Sequence, residues 1–264
     1  MNNIDFGRLA PKAGTRMLVV GGCGGIGRQL VLAALDLGLE LAVLDTSLAL
    51  KQYLVPSNVK AVSVDITDNV SVEAAFAEIK QLWGGLDVLV HLPGYTMPPT
   101  PVEDIEPAQW EDLVSVNLSS LYRVARRALP LMRGPGGGNI ITIASGLAVH
   151  VEKGVSAYAA SKAGVIAFTK ALARENAPMI RANVVAPGAV DTAFLRGGTG
   201  RVSDNADKNW FDASFGGPDI LKTIPMGRIA VPDDVVGPIL FLAGDASRFM
   251  TGQVLYVNGG RLTP

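Results

Sequence analysis

The sequence has few of the residues that mark special chemistry. Its 264 residues include one cysteine and two histidines. A single cysteine excludes an internal disulfide, and so few thiols and imidazoles argue against a metal site. Aromatics make up 6% and charged residues 18%, with a formal net charge of -1. A near-neutral chain exerts no electrostatic pull on nucleic acid or an anionic membrane. No uninterrupted apolar run approaches the ~18 residues of a membrane span. The polar opening MNNIDFGRLAPKAGTR lacks the apolar core of a secretory signal. The expectation is a cytoplasmic protein that binds neither nucleic acid nor membrane.

What the chain has is small and apolar: 48% hydrophobic residues and 30 glycines. Small residues suit close helix–sheet packing. Strand-like runs (RMLVV, ELAVLD, VKAVSVD, LDVLVHL, NIITIAS, IRANVVAPG, QVLYVN) alternate with helix-like segments. Those segments cover Arg28–Leu37, 70–83, Pro107–Met132, 156–177 and Pro232–Ala243. Seven strands separated by helices predict an α/β protein, a Rossmann-type doubly wound parallel sheet with helices on both faces. Residues 1–264 read as one domain, with a tail over 1–15 and one irregular segment over 193–224.

The first strand runs into VVGGCGGIGRQL, where two phosphate-binding spacings coexist. Gly22, Gly24 and Gly27 fit G-x-G-x-x-G; Gly21, Gly25 and Gly27 fit G-x-x-x-G-x-G. Glycines between a strand and a helix let a diphosphate approach backbone N–H groups at the helix start. Gly21, Gly24, Gly25, Ile26 and Gly27 are therefore candidate cofactor contacts. Asp45 ends the second strand, 18 positions beyond Gly27. A carboxylate there accepts from ribose hydroxyls and repels a 2′-phosphate, which favours NAD over NADP. The other reading of Asp45 is an ordinary helix N-cap. Cys23 reads as a packing residue, or as a thiol acidified by the helix N-terminus.

Far downstream, SAYAASKAG places Tyr158 and Lys162 four apart, on one helix face. Ser145 ends the strand NIITIAS, at the carboxyl edge where such sheets bind ligands. A phenol near an ammonium exchanges protons more readily, and a serine hydroxyl can hold the substrate oxygen. With these motifs the chain resembles the short-chain dehydrogenase/reductase family over Met17–Gly260. The resemblance selects Gly21, Gly25 and Gly27 as the working glycines. It implies a tetrad of Asn117, Ser145, Tyr158 and Lys162, with Asn117 in a kinked helix beside a proton-relay water. It further implies that Asp65 and Ile66 read the adenine edge, that Gly94 makes room for the nicotinamide ribose, and that Val190 and Thr192 lie at the carboxamide. Residues 193–224 then correspond to a substrate lid, and Arg123, Arg126 and Arg127 to a dimer interface within a homotetramer or homodimer.

Two departures from the family pattern stand out. Val20 replaces a threonine before the glycines. HLPG (His91–Gly94) replaces Asn-Asn-Ala-Gly, losing side chains that brace the sheet, while Pro93 removes a backbone donor. His91 reads as packing, and His150 as either a substrate contact or a surface residue. Trp210, Phe211 and Phe215 suggest an apolar substrate face. The expected activity is NAD-dependent interconversion of a secondary alcohol and a ketone. A 3-oxoacyl thioester reductase, or a dinucleotide-binding protein without catalysis, are the alternatives.

Overall fold

The structure, a computed structural model, describes residues 9–134, 136–198 and 217–262. Trp210, Phe211, Phe215 and most of the anticipated lid lie outside the described residues, as does the start of the amino-terminal tail.

Strand β1 (Arg16–Val20) shows why the strands read as continuous apolar runs. Met17 and Val19 enter one core cluster, while Leu18 and Val20 enter the cluster on the opposite face. Both faces of the sheet are covered, so both alternating sets must be apolar. The other strands are β2 (Glu40–Asp45), β3 (Lys60–Ser63), β4 (Val88–His91), β5 (Gly138–Ile143), β6 (Ile180–Pro187) and β7 (Val254–Val257). They form one parallel sheet in the order β3-β2-β1-β4-β5-β6-β7. The order reverses between β1 and β4, and a crevice opens there at the carboxyl ends of the strands.

Helices α1 (Gly25–Asp36) and α7 (Pro232–Ala243) pack on one face through Leu30, Val31, Val235 and Ile239. On the other face, α3 (Asn69–Trp83) and α5 (Ser120–Met132) bury Val72, Ile79, Val124 and Ala128. The Asp68 carboxylate accepts from the amides of Val70 and Ser71 to start α3, and Gly84 (φ 66°) stops it. Short α2 (Ser47–Gln52) is capped by Thr46, which removes the reading of Asp45 as an N-cap. Helix α6 (Ser156–Asn176) follows β5.

Two helix boundaries differ from expectation. Helix α1 begins at Gly25 rather than Arg28, so two loop glycines are helical. The stretch from Pro107 to Met132 is α4 (Pro107–Val114), a π-helical turn over Ser115–Ser119, and then α5. The π-turn is the kink that the resemblance implied, and it carries Asn117.

Candidate active site

One cleft, with a cavity volume of about 260 Å³, runs along the carboxyl edge of the sheet. Gly21, Gly24, Gly25, Ile26, Gly27, Asp45, Asp65, Ile66, Gly94, Ser145, Tyr158, Lys162, Val190 and Thr192 all line it. Asn117 lies behind that wall, fully buried.

The glycine turn is sterically specified. Gly21 has φ +81°, a conformation that suits glycine alone. A Cβ on Gly27 would stand 2.3 Å from the Gly21 carbonyl oxygen, and one on Gly25 2.5 Å from Thr192 Cγ2. At Gly24 the nearest atom would be 3.4 Å away, an ordinary contact. A Cβ on Gly22 would stand 2.6 Å from Val43 Cγ1, so of the glycines in the two spacings Gly24 is the dispensable one, and the G-x-x-x-G-x-G spacing is the one that does without it. The N-cap of α1 is Gly24, which has no side chain to bond the first-turn amides, so among the described residues that end lies open to the cleft as an anion-binding end. A cradle so narrow, opening on uncapped amides, fits the diphosphate of a dinucleotide.

Asp45 also braces this turn. Its Oδ2 accepts from the Cys23 amide and its Oδ1 from the Thr46 amide, each at 2.8 Å. Burial raises its pKa, against the pull of those bonds. The acidified-thiol reading of Cys23 is corrected here. Its side chain is 2% exposed, and burial, reinforced by the Asp45 charge, pushes the thiol up to about 12.

At one end of the cleft, Asp65 Oδ1 accepts from the amide and hydroxyl of Thr67, at 2.9 and 2.6 Å. At the other end, Ser145 Oγ accepts from the Leu147 amide at 3.2 Å. Lys162 Nζ donates to the Ile143 carbonyl at 3.0 Å and lies 5.9 Å from the Tyr158 ring centre. Burial lowers Lys162 to about 8 and raises Tyr158 to about 12, the hydrogen bond with Ser145 opposing the latter. The depressed phenol expected from a neighbouring ammonium is not a property of the chain by itself. The lysine is turned to a carbonyl, and desolvation governs both groups.

Asn117 grips the peptide of Tyr95. Its Oδ1 accepts from the Tyr95 amide at 2.9 Å, and its Nδ2 donates to the Tyr95 carbonyl at 2.9 Å. The same Nδ2 donates to Ser161 Oγ at 3.1 Å, and that hydroxyl donates to the Tyr158 carbonyl at 2.7 Å. The Asn117 side chain is thereby tied to the backbone of α6 at Tyr158. His150 is exposed and is not among the residues lining the cleft.

Three cleft residues escaped the sequence reading. Arg28 lies 4.1 Å over the ring of Tyr53, both lining the cleft with Asp45. It follows Gly27 directly, and that adjacency was the available signal. The Phe194 ring sits 6.1 Å from that of Tyr158, tilted by 52°. Its proximity to Thr192 in the sequence was the clue. Of the three central arginines, Arg127 pairs with Glu73 at 2.6 Å and Arg123 donates to the Ser115 carbonyl at 3.4 Å.

A glycine cradle at a sheet's switch point, joined to a Ser-Tyr-Lys cluster on the same edge, defines a class of dinucleotide-dependent oxidoreductases. The family model described as Enoyl-(Acyl carrier protein) reductase matches residues 21–261. The 3-oxoacyl-(acyl-carrier-protein) reductase FabG of Escherichia coli K12 is 34% identical over 248 residues, 92% of this chain and 95% of that protein. The ligand-free aldohexose dehydrogenase of Thermoplasma acidophilum superposes with a TM-score of 0.81 at 29% identity, covering 96% of this chain and 98% of that one. A glucose/ribitol-type short-chain dehydrogenase from Brucella melitensis gives 0.81 at 25% identity, covering 97% and 99%. The chain belongs to the short-chain dehydrogenase/reductase family. It is an NAD(P)-dependent oxidoreductase acting on CH–OH donors.

Proposed function

We propose that the protein interconverts a secondary alcohol and a ketone with NAD. The observation that carries this reading is the convergence of Ser145, Tyr158 and Lys162 in one cleft with the glycine cradle and Asp45. A bound nicotinamide would supply the hydride acceptor or donor. Gly21, Gly25 and Gly27 hold the diphosphate, and Asp45 accepts from the adenosine ribose hydroxyls. Asp65 and Ile66 border the adenine, with Gly94, Val190 and Thr192 around the nicotinamide half. In the oxidative direction Tyr158 takes the alcohol proton while Ser145 donates to the substrate oxygen. Lys162 holds the nicotinamide ribose, and its charge beside the phenol favours the ionised form. Phe194 packs its ring beside that of Tyr158, and Asn117 fixes the wall behind.

The test is nicotinamide absorbance over a panel of secondary alcohols and ketones with NAD and with NADP, wild type beside Tyr158→Phe. NAD-linked turnover abolished by the substitution is the expected result. Turnover equal in both proteins, or with NADP alone, overturns the reading.

A 3-oxoacyl thioester reductase is the second reading. It is favoured by the 34% identity to FabG and by the presence of Arg28 near the ribose end. Reduction of a 3-oxoacyl thioester faster than any simple ketone would establish it. We also propose a homo-oligomer. Strand β7 is an apolar edge left half-exposed, and Phe249 on the preceding loop is fully exposed. A monomer mass in solution would overturn that proposal.

A further inference from the structure

The HLPG departure puts an imidazole in the middle of the sheet. His91 ends β4, in register with Val20 of β1 and Thr142 of β5, and is 2% exposed. Its Nε2 lies 3.2 Å from Ser120 Oγ. That hydroxyl, itself fully buried, stands 2.6 Å from the Val116 carbonyl. A serine has one proton to give. The shorter contact is with a carbonyl, which can only accept, so the proton goes there. Ser120 Oγ must then accept, and the imidazole donates from Nε2.

Val116 belongs to the π-turn, and its carbonyl is the group that Ser120 holds. The next residue is Asn117, whose amide grips the Tyr95 peptide and Ser161. A π-turn is a single widened turn in an otherwise α-helical stretch, and it persists only where local contacts favour it. Here the contact runs from a sheet residue, through a hydroxyl, to the backbone of the turn itself.

We propose that His91 is a positioning residue for Asn117, acting through Ser120 to fix the π-turn. The chain supplies its own control. On the adjacent strand Thr142 bonds to Thr169 at 2.9 Å, and Thr169 donates to the Val165 carbonyl at 2.7 Å. This second relay, with a hydroxyl in place of the imidazole, is equally buried and also runs through a hydroxyl to a helix carbonyl, but it ends in the regular helix α6. If such relays only tie helices to the sheet, the two should be equivalent. If His91 sets the π-turn, only its removal should loosen the Asn117 grip.

The catalytic consequence rests on the role given to Asn117 above. The decisive measurement does not, because it needs neither cofactor nor substrate. Amide exchange at Tyr95, whose N–H is held by Asn117, would be followed by NMR in the full chain. His91→Leu and Ser120→Ala would be compared with Thr142→Val. The expected result is at least tenfold faster Tyr95 exchange in the first two, with Thr142→Val at the wild-type rate whatever its melting temperature. Ser120→Ala decides the matter if His91→Leu does not fold. Tyr95 protection that survives Ser120→Ala would overturn the proposal, as would equal loss in Thr142→Val. An independent readout is the ¹⁵N spectrum of the His91 ring. The Nε2–H tautomer is expected, and an Nδ1–H tautomer would overturn the relay as drawn.

Discussion

Gly94 and Lys162 are packed so closely that no side chain fits between them. A Cβ on Gly94 would stand 2.8 Å from Lys162 Nζ and 3.3 Å from Asn117 Oδ1. The glycine therefore serves two buried polar groups as well as the space above them. Gly94→Ala is expected to swing the ammonium off the Ile143 carbonyl and to lower kcat by about 10²-fold, the usual cost of displacing a catalytic group by an ångström. Steady-state kinetics beside the melting temperature would check this. A kcat within threefold of wild type would mean that the lysine relocates without consequence.

The glycine turn makes a graded prediction. Gly27→Ala places a methyl against backbone, which cannot yield cheaply, and should cost about 1–3 kcal/mol of stability with loss of NADH binding. Gly24→Ala meets only ordinary contacts at φ -70°. It should cost about 1 kcal/mol or less, the penalty for alanine at an N-cap, and still bind NADH. Thermal melts and NADH fluorescence titration would separate the two. Equal losses would return the working role to the spacing through Gly22 and Gly24.

Much of this was legible in the sequence. Continuous apolar runs gave the strands because a sheet covered on both faces leaves no polar phase to misread. Ser145, Tyr158 and Lys162, legible by spacing, line one cleft, and Asn117, legible only by family likeness, is buried behind it. Relations that depend on the third dimension were not legible. Nothing in the spacing says that Asp45 braces the Cys23 amide, because the pair is joined only once β1 and β2 lie side by side. Arg28 was passed over because its meaning depends on Tyr53, 25 positions away in the sequence. In the chain by itself the direction of the Tyr158 shift follows burial, which spacing does not show either. Proximity of a lysine was visible, but its orientation and the burial of both groups were not.

Cys23 should be inert. A thiol that is 2% exposed and pushed up to about 12 offers almost no thiolate at pH 8. Iodoacetamide should leave the native protein unlabelled for hours with or without NADH, and label it fully in denaturant. Rapid native labelling that NADH suppresses would restore the acidified-thiol reading.

The buried imidazole imposes an acid limit on stability. His91 is lowered to about 3, chiefly by burial and then by the charge of Lys162, whereas an unfolded histidine titrates near 6.5. Between these values the unfolded chain takes up a proton that the native chain refuses. Stability should therefore fall as the pH drops from 6.5 towards 3, by about 1.4 kcal/mol per unit from this residue alone. Above pH 6.5 its contribution is complete. Denaturant titrations at pH 6.5 and 5 would read the slope, and His91→Leu should flatten it by that amount. An unchanged slope would mean that His91 charges in the native state. At the alkaline end Lys162, lowered to about 8, makes stability rise between pH 8 and its unfolded value of about 10.4. Tyr158, raised to about 12, makes it fall above pH 10.

Cofactor choice turns on two residues of opposite charge. Asp45 faces the ribose end as a carboxylate already holding two backbone amides, and it would repel a 2′-phosphate. Arg28, stacked on Tyr53 in the same cleft, offers that phosphate a counter-charge. The carboxylate is expected to win because it sits at the strand end, where the function proposed above puts the ribose hydroxyls, while the guanidinium softens the penalty. NAD should therefore bind more tightly than NADP, and Arg28→Ala should widen the ratio about tenfold, or about 1.4 kcal/mol. The NAD affinity itself should stay within about fivefold, since the stacked pair is worth only about 0.5–1 kcal/mol to local order. Asp45→Asn should narrow the ratio from the other side, and it should also lower the melting temperature, because one braced amide loses its acceptor. Calorimetric titration of both dinucleotides into the three proteins measures all of this without a substrate. A ratio unmoved by Arg28→Ala would confine that arginine to packing on Tyr53 and leave Asp45 as the sole reader of the ribose.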